Sequence, residues 1–479
     1  MSNDRAVVVD PAGRDQARAQ EIAALKLALI GLAGASIEHY DFLLYGTAAA
    51  LVFPTVFFPA TLPPFVALIA SFSTFAVGFL ARPFGAVWFG QMGDRVGRKA
   101  AFAVALSTMG TTTTLIGFLP SYHTAGVFSP LALVLLRFTQ GLALGGQWGG
   151  AILLATESAP NSRRGLYGSI AQAGSPVGLM LANLAFLVAN GAMSPEAFMA
   201  YGWRIPFLFS IALVGLGVFI HFRVEDTAAF RQLQQSKSPA GDPPAGSSLE
   251  APACAIGPMR GTPSPVLEAL RLYPRLILLA AGALVSSNVG FYILITYVVA
   301  YGTSAAGLRL ARSTMLTAVL LANVAMPAVM VLAGTLSDRY GRRRIVMTGV
   351  ALAGIWAFIL FPLIETRSLL WITVAVSVGV FFLTLTYGPL AAMFAELFST
   401  RVRYSAASLA YQIATIVGGG LAPIIATGLY ARYHSNIGVS VYVAGACTVS
   451  LVCVNMLRET RGTGLDEYPE PTGARVVST

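Results

Sequence analysis

Twelve stretches of about twenty largely apolar residues recur along this chain, and that is the length a helix needs to cross a hydrocarbon layer ~30 Å thick. They fall at 25–52, 65–89, 100–120, 130–154, 165–190, 204–222, 276–301, 313–334, 345–364, 369–393, 405–429 and 438–457. In lipid every backbone N–H and C=O must be satisfied within the segment, so such spans fold as helices. The composition agrees: 56% of the 479 residues are hydrophobic and 11% charged, where soluble domains carry about a quarter charged. The predicted class is an all-α membrane protein of twelve transmembrane helices.

The positions of the charges set an expected orientation. With both termini cytoplasmic, four short inner loops hold eleven basic residues: Arg95, Arg98, Lys99, Arg163, Arg164, Arg339, Arg342, Arg343, Arg344, Arg401 and Arg403. The outer loops hold five, Arg204, Arg309, Arg312, Arg367 and Arg432. This bias follows the positive-inside rule. It accounts for the net charge of +10 without nucleic acid as a partner. The N-terminus lacks a short apolar core with a small-residue cleavage site, so no signal peptide is expected. Cys254, Cys447 and Cys453 show neither metal spacing nor a disulfide framework.

The chain divides near its middle. Residues 223–274 are rich in Pro, Gly, Ser and Ala, a composition that cannot build a core. This gives an expected N-terminal tail (1–24), a six-helix bundle (25–222), a cytoplasmic linker (223–274), a second six-helix bundle (275–458) and a C-terminal tail (459–479). An internal repeat supports the division. Gly90-Gln-Met-Gly-Asp94-Arg95-Val-Gly97-Arg98-Lys99 recurs 244 residues on as Gly334-Thr-Leu-Ser-Asp338-Arg339-Tyr-Gly341-Arg342-Arg343. Glu157 with Arg163 and Arg164 recurs 239 residues on as Glu396 with Arg401 and Arg403. Two matches at nearly one offset imply halves related by duplication, as in many secondary carriers.

These motifs resemble the major facilitator superfamily, and within it the bacterial metabolite:proton symporters that carry shikimate, dicarboxylates, citrate or proline/betaine. The resemblance covers most of the chain. Its marks are Ile37-Glu38-His39-Tyr40-Asp41-Phe42, Ala81-Arg82-Pro83-Phe84-Gly85, the Gly-Asp-Arg-Val-Gly-Arg-Lys loop, Arg137-Phe138-Thr139-Gln140-Gly141, Gly145-Gly146-Gln147-Trp148-Gly149-Gly150, Arg163-Arg164-Gly165 and Glu396-Leu397-Phe398. Two positions depart from the pattern. His39 stands where the group commonly has an aromatic residue, and Gln147 where it commonly has an acid. The resemblance implies two pseudo-symmetric six-helix bundles. It also implies that charged groups at the inner helix ends, Asp94, Arg95, Arg98, Asp338, Arg339 and Arg342, form a cytoplasmic gate.

Four charges remain well inside the spans: Glu38, Asp41, Arg82 and Arg137. Each costs at least ~2.5 kcal/mol at mid-membrane, so each needs a partner or an aqueous cavity. Glu38, Asp41 and Tyr45 share a helix face at i, i+3, i+7. Asp41 and Arg137 lie at similar depth, so an ion pair between them is expected, with Glu38 in reach. Protonating the carboxylate then frees the guanidinium for an anion; the alternative is a fixed structural pair. Arg82 reads as snorkelling toward the headgroups. Arg137, Gln140 and Gln147 share a stripe taken as cavity-facing, and Gly141, Gly145 and Gly149 form a packing stripe. Further cavity candidates are Gln172, Ser175, Asn183, Asn288, Tyr292, Tyr297, Asn323, Tyr387 and Gln412. His39 reads first as a hydrogen-bonded packing residue and second as a proton relay.

The expected function is secondary active transport. It is read as proton symport of a small organic acid or zwitterion across the plasma (inner) membrane by alternating access. Asp41 and Glu38 would handle the proton and Arg137 the substrate carboxylate. The proton gradient replaces any cofactor. No catalytic constellation or P-loop is visible, so neither enzyme activity nor an ATP-driven pump is expected. A proton-antiporting exporter and a non-transporting membrane sensor are the competing readings.

Overall fold

The computed structural model describes residues 11–96, 98–145, 155–157, 159–224, 265–399 and 402–463. Among them, twelve long helices stand where twelve spans are expected. They are α1 (Pro11–Leu51), α2 (Pro64–Val96), α3 (Arg98–Phe118), α4 (Phe128–Gly145), α5 (Asn161–Gly191) and α6 (Ile205–Val224). The second set is α7 (Pro274–Thr303), α8 (Arg312–Tyr340), α9 (Arg342–Glu365), α10 (Leu369–Leu397), α11 (Arg403–Tyr433) and α12 (Ile437–Met456). Ten are long and apolar enough to cross a membrane. Of the other two, α3 has a shorter apolar part, Ala103–Phe118, and α6 is a helix of 20 residues whose side chains past Gly215 lie outside the described set.

The helices outrun the spans that hydropathy marks. α1 reaches back to Pro11, inside the expected N-terminal tail, and α2 continues to Val96 through most of the loop motif. Hydropathy reports where lipid ends, whereas a helix continues into water for as long as its residues tolerate helical geometry. The expected linker is likewise not all loop, since Pro265–Leu272 is helical; residues 225–264 lie outside the described set. In the second copy of the motif, Gly341 joins α8 to α9 at φ 103°, a conformation that only glycine adopts without strain.

Small residues let particular helices touch backbone to backbone. A β-carbon at Gly141 would lie 2.2 Å from the Gly78 carbonyl oxygen, and one at Gly145 2.0 Å from that of Arg82. Gly141 and Gly145 of the expected packing stripe thus form a seam against α2; Gly149 lies outside the described residues. Contacts between the two sets of helices run α1 to α7, α2 to α11, and α5 to α8 and α10. Two single-turn π-helical segments interrupt the C-terminal partners, at Ile293–Tyr297 in α7 and Ile416–Gly420 in α11. Such turns are frequent at functional sites. Here Gly419 lies so close to Phe79 of α2 and Tyr292 that a β-carbon would come within 2.6 Å and 2.8 Å of them.

Gly145→Ala is expected to lower the detergent melting temperature of the purified protein, because its one added carbon meets backbone. Gly215→Ala, with open space around it, should leave the melting temperature unchanged or raise it, as alanine is the better helix former by about 1 kcal/mol.

Candidate functional site

A cavity lies between the two sets of helices. Glu38, His39 and Phe42 of α1, Arg82 of α2 and Leu144 of α4 face Tyr292 of α7 and Tyr411 and Gln412 of α11 across it. It has room for about 20 Å³, little more than one water requires. Contacts between the halves lie on both sides. Toward the loop between α1 and α2, Phe65 packs against Tyr430 with ring centroids 5.8 Å apart. Toward the Arg-rich face, Gly165 and Gly334 abut so closely that a β-carbon on either would sit 2.3 Å from the other's carbonyl oxygen.

Arg82 corrects the expectation of snorkelling. It is buried, and its guanidinium carbon lies 4.2 Å from the Phe42 ring centre and 4.6 Å from that of Phe79. The faces of Phe42 and Phe79 take the guanidinium in place of the headgroups. Glu38 is the carboxylate that shares the cavity with it.

The Asp41–Arg137 pair is not formed. Arg137 is fully buried in a cage of aromatic faces, 4.1 Å from the ring centre of Tyr45, 4.2 Å from Phe42 and 4.7 Å from Phe75. Gly78 makes the room, since a β-carbon there would come within 2.6 Å of Arg137 Nε. Arg137 Nη1 donates to Gln140 Oε1 at 2.5 Å, while Nε and Nη2 find no acceptor among the described residues. Gln140 in turn donates to Thr113 Oγ1 at 2.8 Å. Asp41 is also fully buried, and among the described residues its oxygens make no close hydrogen bond; the hydroxyl that approaches it is Ser210 of α6. The reason lies in azimuth. Arg137 meets α1 at Phe42 and Tyr45, whose directions centre roughly 70° around the helix from that of Asp41. Depth alone does not make two groups meet.

The other candidates divide. Tyr292 and Gln412 line the cavity. Gln172 Nε2 donates across the halves to the Tyr387 carbonyl at 3.4 Å. Tyr45 donates to Thr74 Oγ1, and Asn183 accepts from Thr47, both within the first bundle. Asn288 and Asn323 donate back to their own helices, at Leu284 and Val319. Tyr297 donates to Asn436 on the far side from the Arg-rich face. Ser175 is buried in α5. Gln147 lies outside the described residues, as do the side chains of Asp94, Arg95 and Arg98. Tyr411, adjacent to the chosen Gln412, escaped the sequence reading.

At the Arg-rich face the halves are joined by a charged seam. Both Asp338 oxygens accept from the first amides of α5, Gly165 and Leu166, at 2.9 Å each. A carboxylate at a helix N-terminus is stabilised by unpaired amides and by the helix dipole. Arg342 bridges Asp338 at 2.5 Å and Glu396 at 3.2 Å. Arg164 approaches Glu396 at 3.9 Å, and Arg403 pairs with Glu157 at 3.0 Å. Each glutamate of the repeated Glu–Arg motif therefore faces an arginine of the opposite half. The segment after α12 completes the seam. Glu459 accepts from the Arg342 and Arg343 amides, Thr460 Oγ1 donates to Glu396 at 2.8 Å, and the Thr463 carbonyl accepts from Arg164 at 2.9 Å. Arg339, expected here, is exposed instead, its guanidinium over Tyr340.

The family comparison agrees with this architecture. The description Major Facilitator Superfamily matches residues 42–423 and 283–471. The chain belongs to the Major Facilitator Superfamily. Among superfamily relatives, the Escherichia coli inner membrane metabolite transport protein YhjE is 38% identical over 92% of this chain and 95% of its own length. The E. coli shikimate transporter is 36% identical over 91% and 95%, and the E. coli proline/betaine transporter 30% identical over 89% and 82%. The E. coli xylose transporter XylE has the same fold, with TM-score 0.68 at 15% identity over 93% of this chain and all of that one. The protein is thus a multi-pass membrane transporter of small molecules, not an enzyme, built on the major facilitator fold.

Asp338→Ala should strip the Gly165 and Leu166 amides of their acceptor. Hydrogen bonds to charged groups contribute about 1.5–3 kcal/mol. Deuterium uptake at the start of α5 should therefore rise roughly ten- to a hundredfold in hydrogen-exchange mass spectrometry. Arg339→Ala should leave it unchanged.

Proposed function

We propose that this transporter is a proton symporter that imports a small carboxylate-bearing metabolite, with its Arg-rich face in the cytoplasm of a cell bounded by an inner membrane. The observation that carries this reading is the shared cavity of Glu38 and Arg82, open to groups from both halves. While Glu38 is ionised, it claims the Arg82 charge. A proton from outside neutralises it, and the guanidinium then binds the substrate carboxylate, since the favourable interaction it has lost must be replaced. Proton and anion enter together as a neutral load, which crosses a low-dielectric path far more cheaply than either charge alone.

This assigns the coupling pair differently from the sequence expectation. Arg137 stands behind Phe42, outside the cavity lining. It shares that ring with Arg82, each guanidinium carbon 4.2 Å from its centre. Arg137 therefore adds positive potential behind the site rather than touching the load. Asp41 stands outside the cavity lining, where Ser210 of α6 approaches it. Alternating access follows from opening one closed side at a time. The Asp338, Arg342, Glu396, Arg164, Arg403 and Glu157 seam is the inner gate. The shikimate and proline/betaine transporters among its relatives support an organic acid or zwitterion as load. The arginine bias supports the orientation.

The test is uptake of labelled shikimate, succinate, citrate and glycine betaine into proteoliposomes with an imposed pH gradient. Uptake of at least one should exceed equilibrium when the outside is acidic. Glu38→Gln, a permanent mimic of the protonated acid, should retain exchange of labelled for unlabelled substrate yet lose accumulation and its dependence on external pH. Accumulation driven by an acidic interior would instead establish antiport and overturn the proposal.

A further inference from the structure

His39 lines the same cavity, yet the coupling scheme leaves it without a task. Its Nδ1 lies 2.8 Å from the Ala35 carbonyl oxygen, one turn back on α1. A carbonyl oxygen only accepts, so Nδ1 carries the proton of this bond. The neutral ring then presents Nε2 as a lone pair. Among the described residues nothing donates to Nε2, and Nε2 is not one of the sealed buried atoms. His39 thus lines the cavity beside Glu38, Arg82, Tyr292 and Tyr411, with Nε2 the ring nitrogen that the backbone does not hold.

The neighbouring groups make that acceptor distinctive. Arg82 is donor only. The Tyr292 and Tyr411 hydroxyls can donate as well as accept, and a Glu38 that has taken its proton becomes a donor too. The Gln412 carbonyl oxygen already lies 3.5 Å from the Thr415 hydroxyl. In the loaded state His39 Nε2 is thus a fixed acceptor among groups able to donate. A load that brings only a carboxylate adds acceptors that compete with Nε2 for those donors, whereas a load hydroxyl gives Nε2 a donor of its own, and sites built to bond a substrate hydroxyl reject analogues that lack one.

We infer that His39 is a specificity-determining residue whose Nε2 accepts a hydrogen bond from a hydroxyl near the substrate carboxylate, so that the preferred load is a hydroxylated carboxylic acid. This rests on Arg82 being the carboxylate site. A fully methylated betaine, which has no O–H or N–H to donate, is selected against by the same nitrogen. The backbone bond to Ala35 fixes the tautomer, so the preference is built into the ring's setting.

The experiment uses the full-length protein in proteoliposomes. Inhibition of labelled shikimate uptake is measured with three unlabelled probes: shikimate, its deoxy analogue cyclohex-1-ene-1-carboxylate, and glycine betaine. The wild type should prefer shikimate over the deoxy acid by about tenfold or more, the worth of one hydrogen bond in a dry site. His39→Phe, assayed by direct uptake of each labelled acid, should bring that ratio close to one while the deoxy acid keeps its affinity. His39→Gln, whose amide oxygen can accept, should restore part of the ratio. A merely structural role would weaken both acids alike in both variants, and that result overturns the inference. So does a wild type that takes the two acids equally, which would leave the carboxylate site intact as a reading. If wild-type protein takes no carboxylate probe while transporting betaine, the carboxylate site fails and this inference falls with it.

Discussion

A charge inside a membrane must be neutralised, hydrated or partnered, and this protein arranges its core around that demand. Four carboxylate or guanidinium side chains stand at depth in its first six helices among the described residues, and they meet the demand in different ways. Arg82 and Glu38 share the cavity between the halves. Arg137 spreads its charge over three aromatic faces and one amide oxygen, an arrangement in which ring quadrupoles replace part of the lost hydration. Asp41 has no ion-pair partner among the described residues. The consequence is a site whose electrostatics change with a single proton, since a neighbouring cation gains or loses its counter-charge when that proton moves.

Much of the architecture was legible in the sequence because hydrophobic length is a strong physical signal. The twelve spans, the glycine seam of α4 and the duplicated motifs needed only a count of residues. The ends of the helices were not legible from hydropathy. Nor was the setting of Arg82: its place near the inner end of the α2 span, Pro64–Phe89, suggested the headgroups, whereas the rings of Phe42 and Phe79 hold its guanidinium inside. The pairing of Asp41 with Arg137 failed for a different reason. Spacing along α1 gave the depth, but the direction in which α1 faces its neighbours is set by Gly174 and Gly178 of α5, which press on the α1 backbone at Leu32 and Ser36. Tertiary packing of that kind has no one-dimensional signature. The repeat likewise marked Glu157, Glu396, Arg164 and Arg403 as equivalent residues. It did not reveal that each pairs across to the opposite copy.

The two closed sides of the cavity differ in chemistry. The Arg-rich side is held by carboxylates, guanidiniums and backbone amides, with Glu396 held by Arg342, Arg164 and Thr460 together. Breaking one member of such a buried group leaves the others uncompensated, which commonly costs 3–5 kcal/mol, so this side opens as a unit or not at all. The other side shows aromatic contacts such as Phe65 with Tyr430 and Tyr430 with Tyr301, which can be exchanged a little at a time. The π-helical turns of α7 and α11 lie between these two regimes, where a helix with a spare residue per turn can change its bend without losing its backbone bonds.

The crosswise bonding of the repeated glutamates and arginines carries an implication for how such a chain could arise. A single six-helix unit bearing one acid and one arginine at these places would already be complementary to a second copy of itself, because a twofold axis brings each acid to the other copy's base. Joining two copies in one polypeptide keeps that mutual fit and releases the copies from identity. Only then can one of them concentrate Glu38, Arg82 and Arg137 at its heart while the other supplies tyrosines and glycines to face them. The symmetry of the lock and the asymmetry of what it guards are thus two products of one ancestral self-recognition.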